Sequence, residues 1–323
     1  MEILSFKPLL TPFVWGGEKI APFKGIVSKE KNIGESWEIS GVEGLESIVD
    51  GGSFDGLPIR ELLRLHGEAV LGKKLFAAYG ADFPLLVKFI DAASDLSIQV
   101  HPNDALAAEL HGPGFRGKTE MWYVVAAEPG AHLLSGLSRS ITPEEYEARV
   151  KDGSITEVLA RYDVRPGDVF FLPAGRIHAI CSGCFIAEIQ QTSDLTYRIF
   201  DYNRLGLDGK PRQLHLEQAK RAIDYKVYDS YRTDYTPRKN ERVELVSCPF
   251  FTTSLYEVDA PVEEDLSQTD SFLIVICVEG GGELISDGSS VTLSQGKSVL
   301  IPAENKHFRF TPSPSARLLT SRI

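Results

Sequence analysis

Gly167-Asp168-Val169-Phe170-Phe171-Leu172-Pro173-Ala174-Gly175-Arg176-Ile177-His178 reads as a tight turn, an apolar strand, a proline turn and a histidine opening the returning strand. The pattern recurs at Gly296-Lys297-Ser298-Val299-Leu300-Ile301-Pro302-Ala303-Glu304-Asn305-Lys306-His307, with Gly, Pro and His again at offsets 0, 6 and 11. Two matches at equal spacing, each in strand context, predict two copies of one small β-barrel.

Around these copies, short apolar runs punctuated by Gly, Pro and Asp dominate. Phe83–Ile90, Met121–Ala127, Phe185–Ile189, Phe272–Val278 and Val291–Leu293 have strand length and are rich in β-branched or aromatic residues. Helical patterns are fewer, at Ile59–Val70, Asp104–His111, Thr142–Lys151 and Leu214–Ile223. Thr142 followed by Pro143 and Glu145 is a helix start signal. Residues 226–243 carry Tyr228, Tyr231 and Tyr235 among charges and prolines, without a sustained apolar period. They are expected to be a linker or covering arm between a catalytic unit at 1–225 and a second unit at 244–323.

With 323 residues, two domains are expected, and 43% apolar residues are enough for a sizeable core. A net charge of -11 argues against a basic stripe for nucleic acid. Four cysteines are too sparse for a disulfide scaffold, so a reduced, cytoplasmic protein is the default. Pro8 and Pro12 interrupt the first residues, which do not read as a signal peptide, and no apolar run reaches the roughly 18 residues of a membrane span.

Period two puts Ser97, Gln99 and His101 on one face of a strand, and Lys118, Glu120 and Trp122 on one face of another. If these strands and the one opened by His178 line one barrel, His101, Glu120 and His178 converge. With the Gln99 carbonyl they form an N/O set suited to zinc or another borderline divalent metal. The alternative is a pair of satisfied core histidines and a surface glutamate. Further on, Glu188 and Gln190 share a strand face and Arg198 follows among aromatics. A carboxylate and a guanidinium there suit a charged, oxygen-rich ligand, or else a surface ion-pair network. Lys88, inside an apolar strand, either snorkels or serves a pocket. Cys181-Ser182-Gly183-Cys184 is a lone C-x-x-C, better read as incidental cysteines, and His307 lacks the partners His178 has.

Taken together, Trp15-Gly16-Gly17, Gly34-Glu35-Ser36-Trp37-Glu38-Ile39-Ser40, Phe83–Ile90, Leu96–Pro102, Gly117–Tyr123, Gly167–His178 and Tyr197-Arg198 with Asp201-Tyr202 resemble a class I mannose-6-phosphate isomerase of the short bacterial form. The resemblance covers nearly the whole chain. It implies a mainly β fold, a double cupin of two β-barrel (jelly-roll) domains with a few short helices, the second barrel metal-free. It also implies one zinc ion per chain on Gln99, His101, Glu120 and His178. Arg198 matches the family's catalytic arginine, and Lys88, Ser97, Lys118 and Glu188 match positions lining the sugar-phosphate pocket.

The reaction implied is isomerisation of mannose 6-phosphate to fructose 6-phosphate through a cis-enediol. Such chemistry needs a base between C2 and C1, for which Glu188 and Lys118 are the candidates. The expected partner is a small sugar phosphate, with no nucleic acid or membrane, in a monomer or weak homodimer. An anionic substrate on so acidic a chain requires a locally positive pocket. Two alternatives stand beside this: another metal-dependent cupin enzyme such as an oxygenase with a two-histidine, one-carboxylate triad, or a sugar-phosphate-binding protein without turnover.

Overall fold

A computed structural model describes residues 1–323. Strands organise it into three antiparallel sheets, with helices against their outer faces. The seven-stranded sheet runs Arg232–Thr233, Val169–Leu172, Glu120–Ala127, Cys184–Gln191, Leu85–Asp91, Ile33–Ile39, Leu9–Gly17. The five-stranded sheet runs Tyr197–Phe200, Ile98–Val100, His178–Ile180, His132–Leu137, Leu159–Asp163. The nine-stranded sheet is built mainly from residues after 241, but its far edge is Leu4–Lys7 and Ile48–Val49. Leu4–Lys7 pairs antiparallel with Ser298–Ile301, Leu4 opposite Leu300.

The expectation of two closed barrels in a double cupin is overturned. No sheet returns to its first strand, so the architecture is β/α with three open sheets. The physical reason lies at the edges. Leu9–Gly17 carries Pro12, which has no N–H to offer a further strand, and its register against Ile33–Ile39 slips on either side of that residue. The opposite edge, Arg232–Thr233, is only two residues long. A turn–strand–turn repeat specifies the strands, and the edges decide whether a sheet closes.

Alternation along the seven-stranded sheet explains why it is buried on both faces. Leu85, Val87, Phe89, Met121, Tyr123, Phe185, Ala187 and Ile189 join the core that meets the nine-stranded sheet. The intervening residues point the other way, towards the five-stranded sheet. Ile90, Trp122, Val124, Phe170, Leu172 and Ile186 fill that second core together with Leu133 and Ile180. Into this same inter-sheet space the alternation also delivers Lys88, Glu120 and Glu188, all buried.

The four expected helices form, and Ile20–Phe23 and Lys73–Tyr79 add two that no pattern announced. Ile59–Leu71 buries Leu62, Leu63 and Val70, and Asp104–His111 is capped by Asn103. Pro143–Asp152 starts on Thr142, whose side chain accepts from the Glu145 N–H at 3.2 Å. It packs with Leu216–Ala222 under the five-stranded sheet. Residues 226–243 run along the sheet edges. Tyr231 Oη donates to Leu137 O at 2.9 Å and Tyr235 Oη to Gly167 O at 2.7 Å. No helix is long and apolar enough to cross a membrane.

Candidate active site

The site forms where the two smaller sheets face each other. Glu120 projects from the seven-stranded sheet. His178 opens its strand in the five-stranded sheet directly opposite Gln99, and His101 follows Val100 on the same strand as Gln99. The second turn of the Gly167–His178 motif fastens both histidines. Gly175 N–H donates to His101 O at 2.9 Å, and His178 Nδ1 meets Arg176 O at 2.8 Å. His101 Nδ1 meets Leu195 O at 2.9 Å. Carbonyls only accept, so each ring carries its proton on Nδ1 and turns an Nε2 lone pair inward.

His101 Nε2 lies 3.4 Å from one Glu120 oxygen and His178 Nε2 lies 3.3 Å from the other. Candidate ligand atoms of the three residues fall within 4.8 Å of one another. The residues are 2%, 0% and 1% exposed for His101, Glu120 and His178. His101 Nε2 and Glu120 Oε1 have no hydrogen-bond partner, and Glu120 Oε2 meets the Lys118 ammonium at 2.9 Å. Buried polar atoms left unpaired cost free energy unless something else satisfies them. Two neutral imidazoles and a carboxylate aimed at one point fit a divalent cation. Gln99 Nε2 stands 3.3 Å from His178 Nε2, and half a turn of the carboxamide would bring its carbonyl oxygen there instead.

Charge reinforces this arrangement. Burial pulls the His178 imidazole down to about 3 and lowers His101 as well, keeping both neutral as ligands must be. Burial alone would raise Glu120, but the Lys118 ammonium and the imidazoles outweigh it and hold the carboxyl well below its usual range. Lys118 Nζ is 2.9 Å from Glu120, and the Glu120 and Glu188 carboxylates keep it protonated against the opposing pull of burial. Glu188 moves the other way, raised first by burial and then by the charge of Glu120.

A cleft of about 420 Å³ opens above this floor. Lys88, Ser97, Gln99, Lys118, Glu188 and Arg198 all line it, so the structure brings these sequence-derived positions together. Glu188 Oε2 accepts from Trp122 Nε1 at 2.7 Å, and its Oε1 has no hydrogen-bond partner. Lys88 Nζ lies 3.7 Å from Glu188 Oε1 and 3.3 Å from Glu35 Oε2. Arg198 Nε donates to Ser97 Oγ at 3.3 Å.

Sequence reasoning missed Glu35, Trp37, Asp194, Thr196, Arg212 and His215, which also line the cleft. Glu35 and Trp37 share a strand face by period two, a signal that was readable in Gly34–Ser40. Arg212 and His215 come from an irregular segment with no period. Asp201 holds Arg212 through Nε at 2.8 Å, and His215 Nδ1 accepts from Arg198 N–H at 3.2 Å. The cleft's cations Lys88, Lys118, Arg198 and Arg212 outnumber its carboxylates Glu35, Glu188 and Asp194. Cys181 and Cys184 are free and buried, away from this chemistry.

Comparison with known proteins agrees with this geometry. Residues 4–117 match the family model described as phosphomannose isomerase type I, catalytic domain, and residues 241–321 match mannose-6-phosphate isomerase, cupin domain. The mannose-6-phosphate isomerase ManA of Bacillus subtilis is 34% identical over 308 residues, covering 93% of each chain. A mannose-6-phosphate isomerase of Streptococcus mutans is 33% identical over 92% of this chain and 91% of that one. The crystal structure of the mannose 6-phosphate isomerase from Bacillus subtilis matches with a TM-score of 0.90 at 30% identity, over 100% of both chains. On identity sustained across nearly the full length, and on a fold shared from end to end, this chain belongs to the type I mannose-6-phosphate isomerase family.

Proposed function

We propose that this chain interconverts mannose 6-phosphate and fructose 6-phosphate, with zinc as its metal. The observation that carries the reading is the buried convergence of His101, Glu120 and His178, with His101 Nε2 and Glu120 Oε1 partnerless, beneath a cleft richer in cations than in carboxylates. Gln99, His101, Glu120 and His178 would hold the ion, which when bound polarises the substrate oxygens on C1 and C2.

The chain's own groups account for the rest. Glu188 is the base. Its Oε1 has no hydrogen-bond partner, its Oε2 is steadied by Trp122, and its carboxyl is raised above its ordinary value, all of which favour proton uptake. It takes the proton from C2 and returns it at C1. Lys118, held protonated by Glu120, gives a proton to O1 as the carbonyl becomes a hydroxyl. It takes one back from O2, where the new carbonyl forms, so the exchange balances.

Arg198, backed by Arg212, anchors the phosphate from the five-stranded sheet, a role suited to guanidinium forks. Ser97 meets the sugar hydroxyls between these ends, and Lys88 lies beside Glu188 at 3.7 Å. We assign this chemistry to residues 1–225 and a supporting role to 244–323, joined by 226–243, in a cytoplasmic monomer or weak homodimer.

A coupled assay tests the proposal: mannose 6-phosphate supplied, fructose 6-phosphate detected, before and after chelation and after zinc is restored. Activity that falls on chelation and returns with zinc is expected. A folded, zinc-loaded chain that leaves mannose 6-phosphate unchanged overturns the substrate assignment.

A further inference from the structure

Glu188 is flanked by two ammonium groups, yet its Oε1 has no hydrogen-bond partner. Such an oxygen, buried beside two lysines, should collect a short ion pair. Each lysine is instead drawn to a different carboxylate. Lys118 Nζ lies 4.0 Å from Glu188 but 2.9 Å from Glu120. Lys88 Nζ lies 3.7 Å from Glu188 but 3.3 Å from Glu35. The five side chains form a line of alternating charge, Glu35, Lys88, Glu188, Lys118 and Glu120, across the inner face of the seven-stranded sheet.

The register makes this line rigid. Trp37, Lys88, Glu188 and Trp122 stand directly opposite one another on four neighbouring strands. Glu35 sits two residues before Trp37, so it reaches Lys88 diagonally. Its Oε2 accepts from Trp37 Nε1 at 2.6 Å, and the Lys88 ammonium rests 4.8 Å above the Trp37 ring. Indole face and carboxylate thus hold Lys88 from the side away from Glu188. Glu120 has metal ligation to explain it, whereas nothing in the proposed reaction uses Glu35.

We infer that Glu35 is a positioning residue: with Trp37 it holds the Lys88 ammonium off Glu188 Oε1 and so keeps that oxygen free to accept the substrate's proton. This rests on the reading of Glu188 as the base. Without the Glu35 charge, Lys88 closes on Glu188 and occupies the oxygen the reaction needs. Substrate still enters the cleft, since Arg198 and Arg212 are untouched, so the loss falls on turnover rather than binding.

The test is Glu35→Gln, which keeps an acceptor for the Trp37 indole while removing the charge. kcat is expected to fall about tenfold or more with KM within about twofold of the native value. The emission of Trp37, isolated by subtracting a Trp37→Phe chain, is expected to change as the ammonium leaves its ring. Glu35→Asp, which keeps the charge, is expected to retain most of kcat. Native-like kcat in Glu35→Gln, unchanged Trp37 emission, or an equal loss in Glu35→Asp would each overturn the inference. Glu188→Gln, followed by exchange of the substrate C2 hydrogen with solvent, separates the two readings. Persisting exchange there overturns Glu188 as base. Lost exchange there beside native turnover in Glu35→Gln overturns the role of Glu35 alone.

Discussion

The Gly167–His178 and Gly296–His307 motifs are built alike and end differently. Both glycines take left-handed φ values, 93° and 81°. Both proline turns close on the same bond, Arg176 N–H to Pro173 O at 3.1 Å and Asn305 N–H to Pro302 O at 3.0 Å. Each first glycine also offers its carbonyl to an incoming chain: Gly167 O to Tyr235 Oη at 2.7 Å, and Gly296 O to Lys24 Nζ at 2.6 Å.

The difference is where the returning strand goes. In the first motif it crosses from the seven-stranded to the five-stranded sheet, so His178 faces Glu120 across a buried gap. In the second it stays within the nine-stranded sheet, and the His307 side chain is 47% exposed, 3.8 Å from Glu263. The same turn brings its histidine into a metal-compatible cluster only where two layers meet.

That contrast is most exposed at the histidines themselves. His178→Ala should cut turnover by more than about 100-fold, the loss already seen when only the outer partners of metal ligands are removed. Bound zinc, measured by elemental analysis, should fall with it, whereas His307→Ala should leave both unchanged. A His307→Ala chain that loses zinc would break the comparison.

The second motif's anchor comes next. Lys24 also pairs with the buried Glu38 at 2.6 Å, tying the Gly296 turn to the strand Ile33–Ile39. Lys24→Met should cost about 3–5 kcal/mol in denaturant unfolding, because it strands a buried carboxylate. Burial already raises Glu38 above its ordinary 4.5 while Lys24 holds it down, so the variant raises it further. The folded state then binds that proton more tightly than the unfolded one, and stability declines as pH rises from about 4.5 towards the folded pKa. The penalty should therefore be smaller at pH 5 than at pH 8, and equal penalties would mean that Glu38 is not the group left exposed to the change.

A finer distinction separates the glycines. Gly167→Ala meets strain from its positive φ and only the Tyr235 hydroxyl at 3.4 Å. Gly296→Ala adds contacts at 2.8 and 3.0 Å with Lys24. Thermal unfolding should show about 1–2 kcal/mol lost in the first and about 1 kcal/mol more in the second. The smallest effect expected is the stability change in His307→Ala, within about 0.5 kcal/mol as for other exposed substitutions.

These two motifs also mark how far the sequence could be read. Period two put Glu120 on one strand face with Lys118 and Trp122 and Glu188 on one face with Gln190, while Lys88 stood out only as a lysine inside an apolar strand, its direction left open. The glycine, proline and histidine offsets located His178 to the residue. Closure was misjudged because it depends on edges. Pro12 and the two-residue strand Arg232–Thr233 carry no mark in the motif itself. Arg212 and His215 escaped because they reach the cleft from an irregular segment positioned by Asp201 and Arg198, through contacts that follow no repeat. Glu35 lay in plain view on a strand face, but its meaning depends on Lys88, 53 positions further on.

The pairing of Leu4–Lys7 with Ser298–Ile301 sets a clock on biosynthesis. At translation speeds of about 5–20 residues per second, roughly 15–60 s pass between making the first of these strands and making its partner. Through that interval Leu4–Lys7 can pair with Ile48–Val49 on one side, while the edge that will meet Ser298–Ile301 stays open.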